Sequence, residues 1–367
     1  MTHRSALSAL ALSFLLAGCL GASQSTSSAP PTDLLSGLAL TVPAFAYNAT
    51  EAVAWWESFV TTYSPRIAGT PQNEQAAGAI AAELRQAGLE VEIRSYPFGA
   101  MGANAPAELG PAATRVVVAT KVGRDPNHAI AIGGHYDTAP PPFGALNSLA
   151  LLGGVVREPG LFPLQAAYDN GSGTAVVVSL CKELAKLELD RTLVCLLFDA
   201  EEVGTVGSTA YVEDADRPEL DLYLGFDMNG INWPGVDPTQ PGWELWKLYA
   251  WTGGDFAESL HPFVNRTLHQ VLGWPLSGVE AFDFNDRNSD EASFASAGIP
   301  TVRFAGGRTA DLYPEYHDLD DTVAYVDAFV GGRANFEKGF AATVQAAYTI
   351  AVMFDATTLA ALEADAA

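Results

Sequence analysis

The chain has 367 residues, 49% of them hydrophobic, and carries a formal charge of −24 from 43 acidic and 19 basic residues. That size and apolar content suffice for one large core or two modest domains. The excess of negative charge argues against a nucleic-acid or anionic-lipid surface, and past the N-terminus no stretch reaches the ~20 apolar residues that span a bilayer.

The first residues have the pattern of an export signal. His3 and Arg4 precede an apolar run at 6–16, too short to cross a membrane as a helix. Leu16-Ala17-Gly18-Cys19 follows and resembles the lipobox of bacterial lipoproteins, in which the Cys becomes the lipidated first residue. An ordinary cleaved signal with an incidental Cys is the alternative. Residues 21–32, rich in Ser, Ala and Pro, read as a flexible tether. The expected division is a signal at 1–18, lipidated Cys19 and tether at 19–44, one folded domain at 45–356 and a tail at 357–367. An exported protein tethered to a bacterial membrane, periplasmic or at the cell surface, is the expected location.

Within the domain, 48–63 and 73–87 read as helices, with apolar residues at helical spacing, and Gly88 stops the second. Residues 89–96, 115–120 and 129–132 read as strands. A helix at 172–187 turns Val176, Val177, Leu180, Cys181 and Leu184 inward, and a buried strand follows at 192–198. Strands at 222–226, 248–252 and 301–304 are separated by helices near 255–271 and 291–297, and one long helix closes the chain at 325–354. Cys181 and Cys195 are too few for a disulfide framework, so buried free thiols are the default, with pairing open to an exported chain. Alternating strands and helices imply an α/β fold, a mostly parallel sheet covered on both faces. In such sheets ligands bind beyond the carboxyl ends of the strands.

Chemistry-bearing residues gather at those ends. His135 and Asp137 follow the strand at 129–132, and Asp169 opens the helix at 172. Asp199, Glu201 and Glu202 follow the strand ending in Phe198, Asp227 ends the next, and His317 lies in the loop after 301–304. Each alone has a plain explanation: a polar loop histidine, a helix N-cap at Asp169, a solvated Glu pair. Five such segments at one sheet edge are harder to dismiss. Two His and three carboxylates suit zinc, a borderline-soft ion.

The segments Gly133-Gly134-His135-Tyr136-Asp137, Tyr168-Asp169-Asn170-Gly171-Ser172-Gly173, Asp199-Ala200-Glu201-Glu202, Phe226-Asp227 and Tyr316-His317-Asp318 resemble, in order and spacing, the di-zinc aminopeptidases of peptidase family M28. The likeness runs from about residue 55 to 354. It includes an entry segment, Ser64-Pro65-Arg66-Ile67-Ala68-Gly69-Thr70, and a late one, Asn288-Ser289-Asp290-Glu291. It implies a three-layer α/β/α sandwich with a central mixed, mostly parallel sheet. It implies two zinc ions per chain, one held by His135 and Asp227, the other by Glu202 and His317, with Asp169 bridging. Glu201 would be the general base, Asp137 would fix the tautomer of His135, and a cis peptide would follow Asp169. The substrates implied are peptides with a free N-terminus.

Two departures stand out. The late segment commonly reads Ser-Asp-His in that family, and Glu291 replaces the His here. The insertion between His135 and Asp169 carries Pro140, Pro141, Pro142 and Phe143, and a later loop carries Trp233 and Trp243. These could wall a substrate pocket or merely pack on the surface. Tyr316 could contact a reaction intermediate or simply pack, Arg303 and Arg308 have no assigned role, and His128, His261 and His269 fit no motif. A glutaminyl cyclase looks similar across the whole fold but works with one zinc. A non-catalytic relative would have lost ligands or the base, and neither is lost.

Overall fold

The structure is a computed structural model that describes residues 45, 47–97, 113–139, 164–231, 248–253, 257–271, 279–283, 289–305 and 313–357. The export signal, Cys19, the tether, Pro140 to Phe143, Trp233, Trp243, Asn288, Arg308 and all but the first residue of the tail lie outside them.

Helix α1 (Ala49–Thr62) begins where Asn48 accepts the backbone N–H of Glu51 at 3.3 Å. Helix α2 (Pro71–Gln86) starts two residues before the expected position. Thr70 caps it and Pro71 occupies the first turn, where its missing N–H costs nothing. Strands β1 (Glu90–Pro97), β2 (Ala113–Lys121) and β3 (Asp125–His135) follow. An irregular turn, Ala167–Ser172, leads into α3 (Gly173–Leu184) and then β4 (Arg191–Phe198). The rest comprises α4 (Val206–Glu213), β5 (Glu219–Asp227), β6 (Leu248–Gly253), α5 (Ala257–Arg266), β7 (Val279–Asp283), α6 (Glu291–Ser296) and β8 (Thr301–Ala305), closed by α7 (Val323–Phe329) and α8 (Arg333–Asp355).

The expected single closing helix is therefore two. Gly331 and Gly332 sit at φ 78° and 124°, where only glycine is comfortable, and the turn they make ends α7. Periodicity continues on both sides of the break, so the apolar pattern alone ran across it. Helix α4 and strand β7 were not expected.

Among the described residues, eight strands form one mixed sheet in the order β1-β2-β4-β3-β5-β8-β6-β7. Its centre, β4-β3-β5-β8, is parallel throughout. β3 is buried from Ala129 to His135, as a strand covered on both faces must be. One face packs under α4 and α6, where Val116, Val118, Val194, Leu196, Phe198, Tyr211, Tyr223 and Phe294 form a cluster. α3 packs on the other face against β3 and β4, with α1 and α8 outside it. The fold is thus the expected α/β/α sandwich.

Cys181 on α3 and Cys195 on β4 are joined by a disulfide, with Cα atoms 6.3 Å apart. This corrects the default expectation of free thiols. The two positions, 14 residues apart in sequence, face each other only once the helix lies on the sheet.

Candidate metal centre

Parallel strands in register bring their C-terminal ends to one edge. His135 lies opposite Phe198 on β4, and Asp227 lies opposite Ala305 on β8. Gly134 allows β3 and β5 to close up there, since a Cβ would collide with the Phe226 carbonyl. The backbone just past β4 and β5 takes positive φ at Ala200 (64°) and Met228 (50°), and that of the later loop does so at His317 (57°). Non-glycine residues seldom adopt this region, and when they do they gather at functional sites.

Asp169 sits at the middle of the arrangement. Its Oδ1 is 3.5 Å from His135 Nε2, and its Oδ2 is 3.2 Å from His317 Nε2. His135 Nε2 also lies 3.5 Å from Asp227 Oδ1, and His317 Nε2 lies 3.1 Å from Glu202 Oε2. The five expected donors thus form two groups, His135–Asp169–Asp227 and Asp169–Glu202–His317, sharing Asp169. Glu201 also comes within reach of His135 and Glu202. The ring of Tyr316 stacks on that of His317, centroids 3.8 Å apart. His128 pairs instead with Asp221 at 2.9 Å, away from this cluster.

The donor set fits divalent zinc. Tetrahedral ligands ~2.0–2.2 Å from one zinc ion lie roughly 3.3–3.5 Å from each other, and the four separations run from 3.1 to 3.5 Å. Among the described residues, Glu202 Oε1 and Asp227 Oδ1 are buried without a hydrogen-bond partner. Buried polar atoms rarely go unsatisfied unless an ion or water answers them. The electrostatics agree. Burial alone would lower the His135 pKa, yet Glu201, Asp137, Asp169 and Asp227 together raise it well above the usual value. Burial, opposed by His317 and His135 and helped by Asp169, pushes Glu202 up to about 7. The centre is short of positive charge.

Asp137 lies 3.3 Å from His135 Nδ1, but not in hydrogen-bonding alignment. Its firm bonds are to the backbone N–H groups of Glu201 and Glu202, at 3.1 and 3.3 Å. It therefore also ties the Glu201–Glu202 turn to the end of β3.

Sequence reasoning missed the residues that hold the Asp169 turn. The Asp169–Asn170 peptide is cis, as expected. Asn170 donates to the carbonyls of His135 and Phe226 at 3.2 and 2.9 Å and accepts from Gly173 and Met228, joining β3, β5 and α3. Asp321 accepts the N–H groups of Tyr168 and Asp169 at 2.9 and 3.0 Å and the Tyr313 hydroxyl at 2.8 Å. Arg66, fully buried, donates to the carbonyls of Tyr136, Gln165 and Ala166. Asn170 and Arg66 lie inside recognised segments. Asp321 gave only its position four residues after His317.

A three-layer sandwich with a two-histidine, three-carboxylate centre at the ends of its parallel strands is the class that fold and site define. The sequence profile of Peptidase family M28 matches residues 116–335, and the chain belongs to that family. Aminopeptidase YwaD of Bacillus subtilis is 27% identical over 172 residues, 44% of this chain and 33% of that protein. The probable lipoprotein aminopeptidase LpqL of Mycobacterium tuberculosis is 31% identical over 236 residues, 59% of this chain and 42% of that protein. The matches thus span less than half the length of these relatives. In fold, the chain is similar to a zinc aminopeptidase from Bacillus subtilis, with TM-score 0.62 and 14% identity, covering 85% of this chain and 96% of that one. It is similar also to a glutaminyl cyclase from Porphyromonas gingivalis, with TM-score 0.58 and 16% identity, covering 86% and 100%.

Proposed function

We propose that this protein is an aminopeptidase that hydrolyses the first peptide bond of peptides with a free N-terminus, using two zinc ions. The observation that carries it is Asp169, which offers one carboxylate oxygen to each of two histidine-carboxylate pairs. His135 and Asp227 would hold one ion, Glu202 and His317 the other, and Asp169 both.

Such ions would supply Lewis acidity, making hydroxide available near neutral pH and polarising the scissile carbonyl. The protein's own groups do the rest. Glu201 takes a proton from the attacking water and delivers it to the leaving amine. Burial raises its pKa well above that of an ordinary carboxylate, against the opposing charge of His135 and with the help of Glu202, Asp290 and Asp227. Asp137, through the backbone of Glu201, holds that carboxylate's turn in place. The carboxylates around the centre favour a substrate's cationic α-amine, which selects the chain end.

The purified protein should release an amino acid from a chromogenic aminoacyl amide and contain two zinc ions by elemental analysis. Chelator should abolish turnover and zinc restore it. One tight ion with a dispensable His135 would instead favour a glutaminyl cyclase, whose fold the chain also resembles.

The export reading belongs to the same proposal. Leu16-Ala17-Gly18-Cys19 supports lipidation at Cys19, and a related chain is described as a probable lipoprotein aminopeptidase. The Cys181–Cys195 disulfide suits an oxidising compartment. Cys19→Ser is expected to move the protein from the membrane fraction to the soluble fraction with hydrolysis intact. A wild type already soluble after export would reject the anchor.

A further inference from the structure

Glu291, which departs from the family's Ser-Asp-His pattern, and Arg303, which fits no motif, are explained by each other. Glu291 opens α6 and is buried. Its Oε1 accepts Arg303 Nη1 at 3.0 Å and the Ser289 N–H at 3.3 Å. Arg303 Nη2 donates to Asp227 Oδ2 at 2.8 Å. The sheet places the partners. Asp227 ends β5 opposite Ala305 on the parallel strand β8, and Arg303 lies two residues back on the same face. Its long side chain spans that diagonal, and α6, which packs on β8 and β5, brings Glu291 to its other end.

The consequence falls on Asp227. One carboxylate oxygen is taken by the guanidinium. The other is buried with no hydrogen-bond partner among the described residues and lies 3.5 Å from His135 Nε2. A carboxylate turns readily about its last bond. A planar guanidinium fixed at its far side by a second carboxylate removes that freedom. Among the described residues the Glu202–His317 pair has no such support: Glu202 is held through its backbone by Asp137 and through its side chain by His317.

We propose that Arg303, anchored by Glu291, is a positioning residue for one metal position only. It aims a single oxygen of Asp227 at the ion shared with His135. This rests on the two-ion reading.

The test is a calorimetric titration of the metal-free full domain with zinc chloride, with elemental analysis of the loaded protein. The variants are Arg303→Met, Arg303→Lys and the double change Glu291→Met with Arg303→Met. The double variant guards against misfolding, because replacing a buried ion pair by apolar groups of similar size is often neutral for stability. Circular dichroism of the metal-free proteins checks the fold. Wild type should bind two ions. Arg303→Met and the double variant should keep one at wild-type affinity and bind the other about 10–100-fold more weakly, the usual effect of losing a group that orients a ligand. Arg303→Lys, which can reach one carboxylate as a point charge, should recover part of the loss. Adding His317→Ala to Arg303→Met should leave no tight ion. If the folded double variant binds both ions as wild type does, or if both weaken equally, the proposal is overturned and the pair is merely structural. A wild type that binds fewer than two ions overturns the two-ion reading itself, and the proposal with it.

Discussion

Glu201→Ala is expected to lower kcat by about 10²–10⁴-fold, the usual loss for a general base, while zinc content stays at the wild-type value. Geometry separates Glu201 from its neighbour. Glu202 pairs with His317 at 3.1 Å, whereas Glu201 comes only within 4.8 Å of His135 and, among the described residues, forms no ion pair with a histidine. Its turn survives the change, because Asp137 grips the backbone N–H groups of residues 201 and 202 and not the Glu201 side chain. The base works only when ionised. Wild-type activity should therefore fall as pH drops through the pKa of Glu201 in the zinc-loaded protein, and this acidic limb should be missing from the residual activity of the variant. Steady-state kinetics over pH, with metal analysis of the same preparation, reads both. Near-normal turnover would sink the role assigned to Glu201.

Asp169→Asn should have the widest effect, because one side chain serves both positions. The amide keeps the shape of the carboxylate, and the turn is held largely by Asn170, Asp321 and Arg66, so the chain should still fold. It should lose both ions and all measurable hydrolysis. Stability gives a second, activity-free reading. A ligand present at 1,000 times its Kd stabilises the folded state by about 4 kcal/mol per site. Zinc should therefore raise the thermal midpoint of wild type clearly, and that of Asp169→Asn hardly at all. Scanning calorimetry with and without zinc decides it. A variant that zinc stabilises as strongly as wild type would show that Asp169 does not bridge.

The sequence by itself determined the sandwich and the polar residues that gather at one edge of its sheet. Buried parallel strands are continuous apolar runs, so their ends are visible, and a polar group at such an end has little choice of place. His135, Glu202 and Asp227 were legible for that reason, and Asp169 because its glycine-rich turn opens a helix. Local rules also fixed most helix limits, although Thr70 and Pro71 outweighed the periodicity at the start of α2. Only the tertiary structure decided the rest. Arg66 meets the carbonyls of residues 165 and 166, Asp321 meets the backbone of 168 and 169, and Cys181 meets Cys195. Arg303 reaches Asp227 across neighbouring strands, 76 residues apart in the chain. No periodicity or motif encodes such pairs. They depend on which strands adjoin and in what register, and that is settled by the packing of the whole sheet.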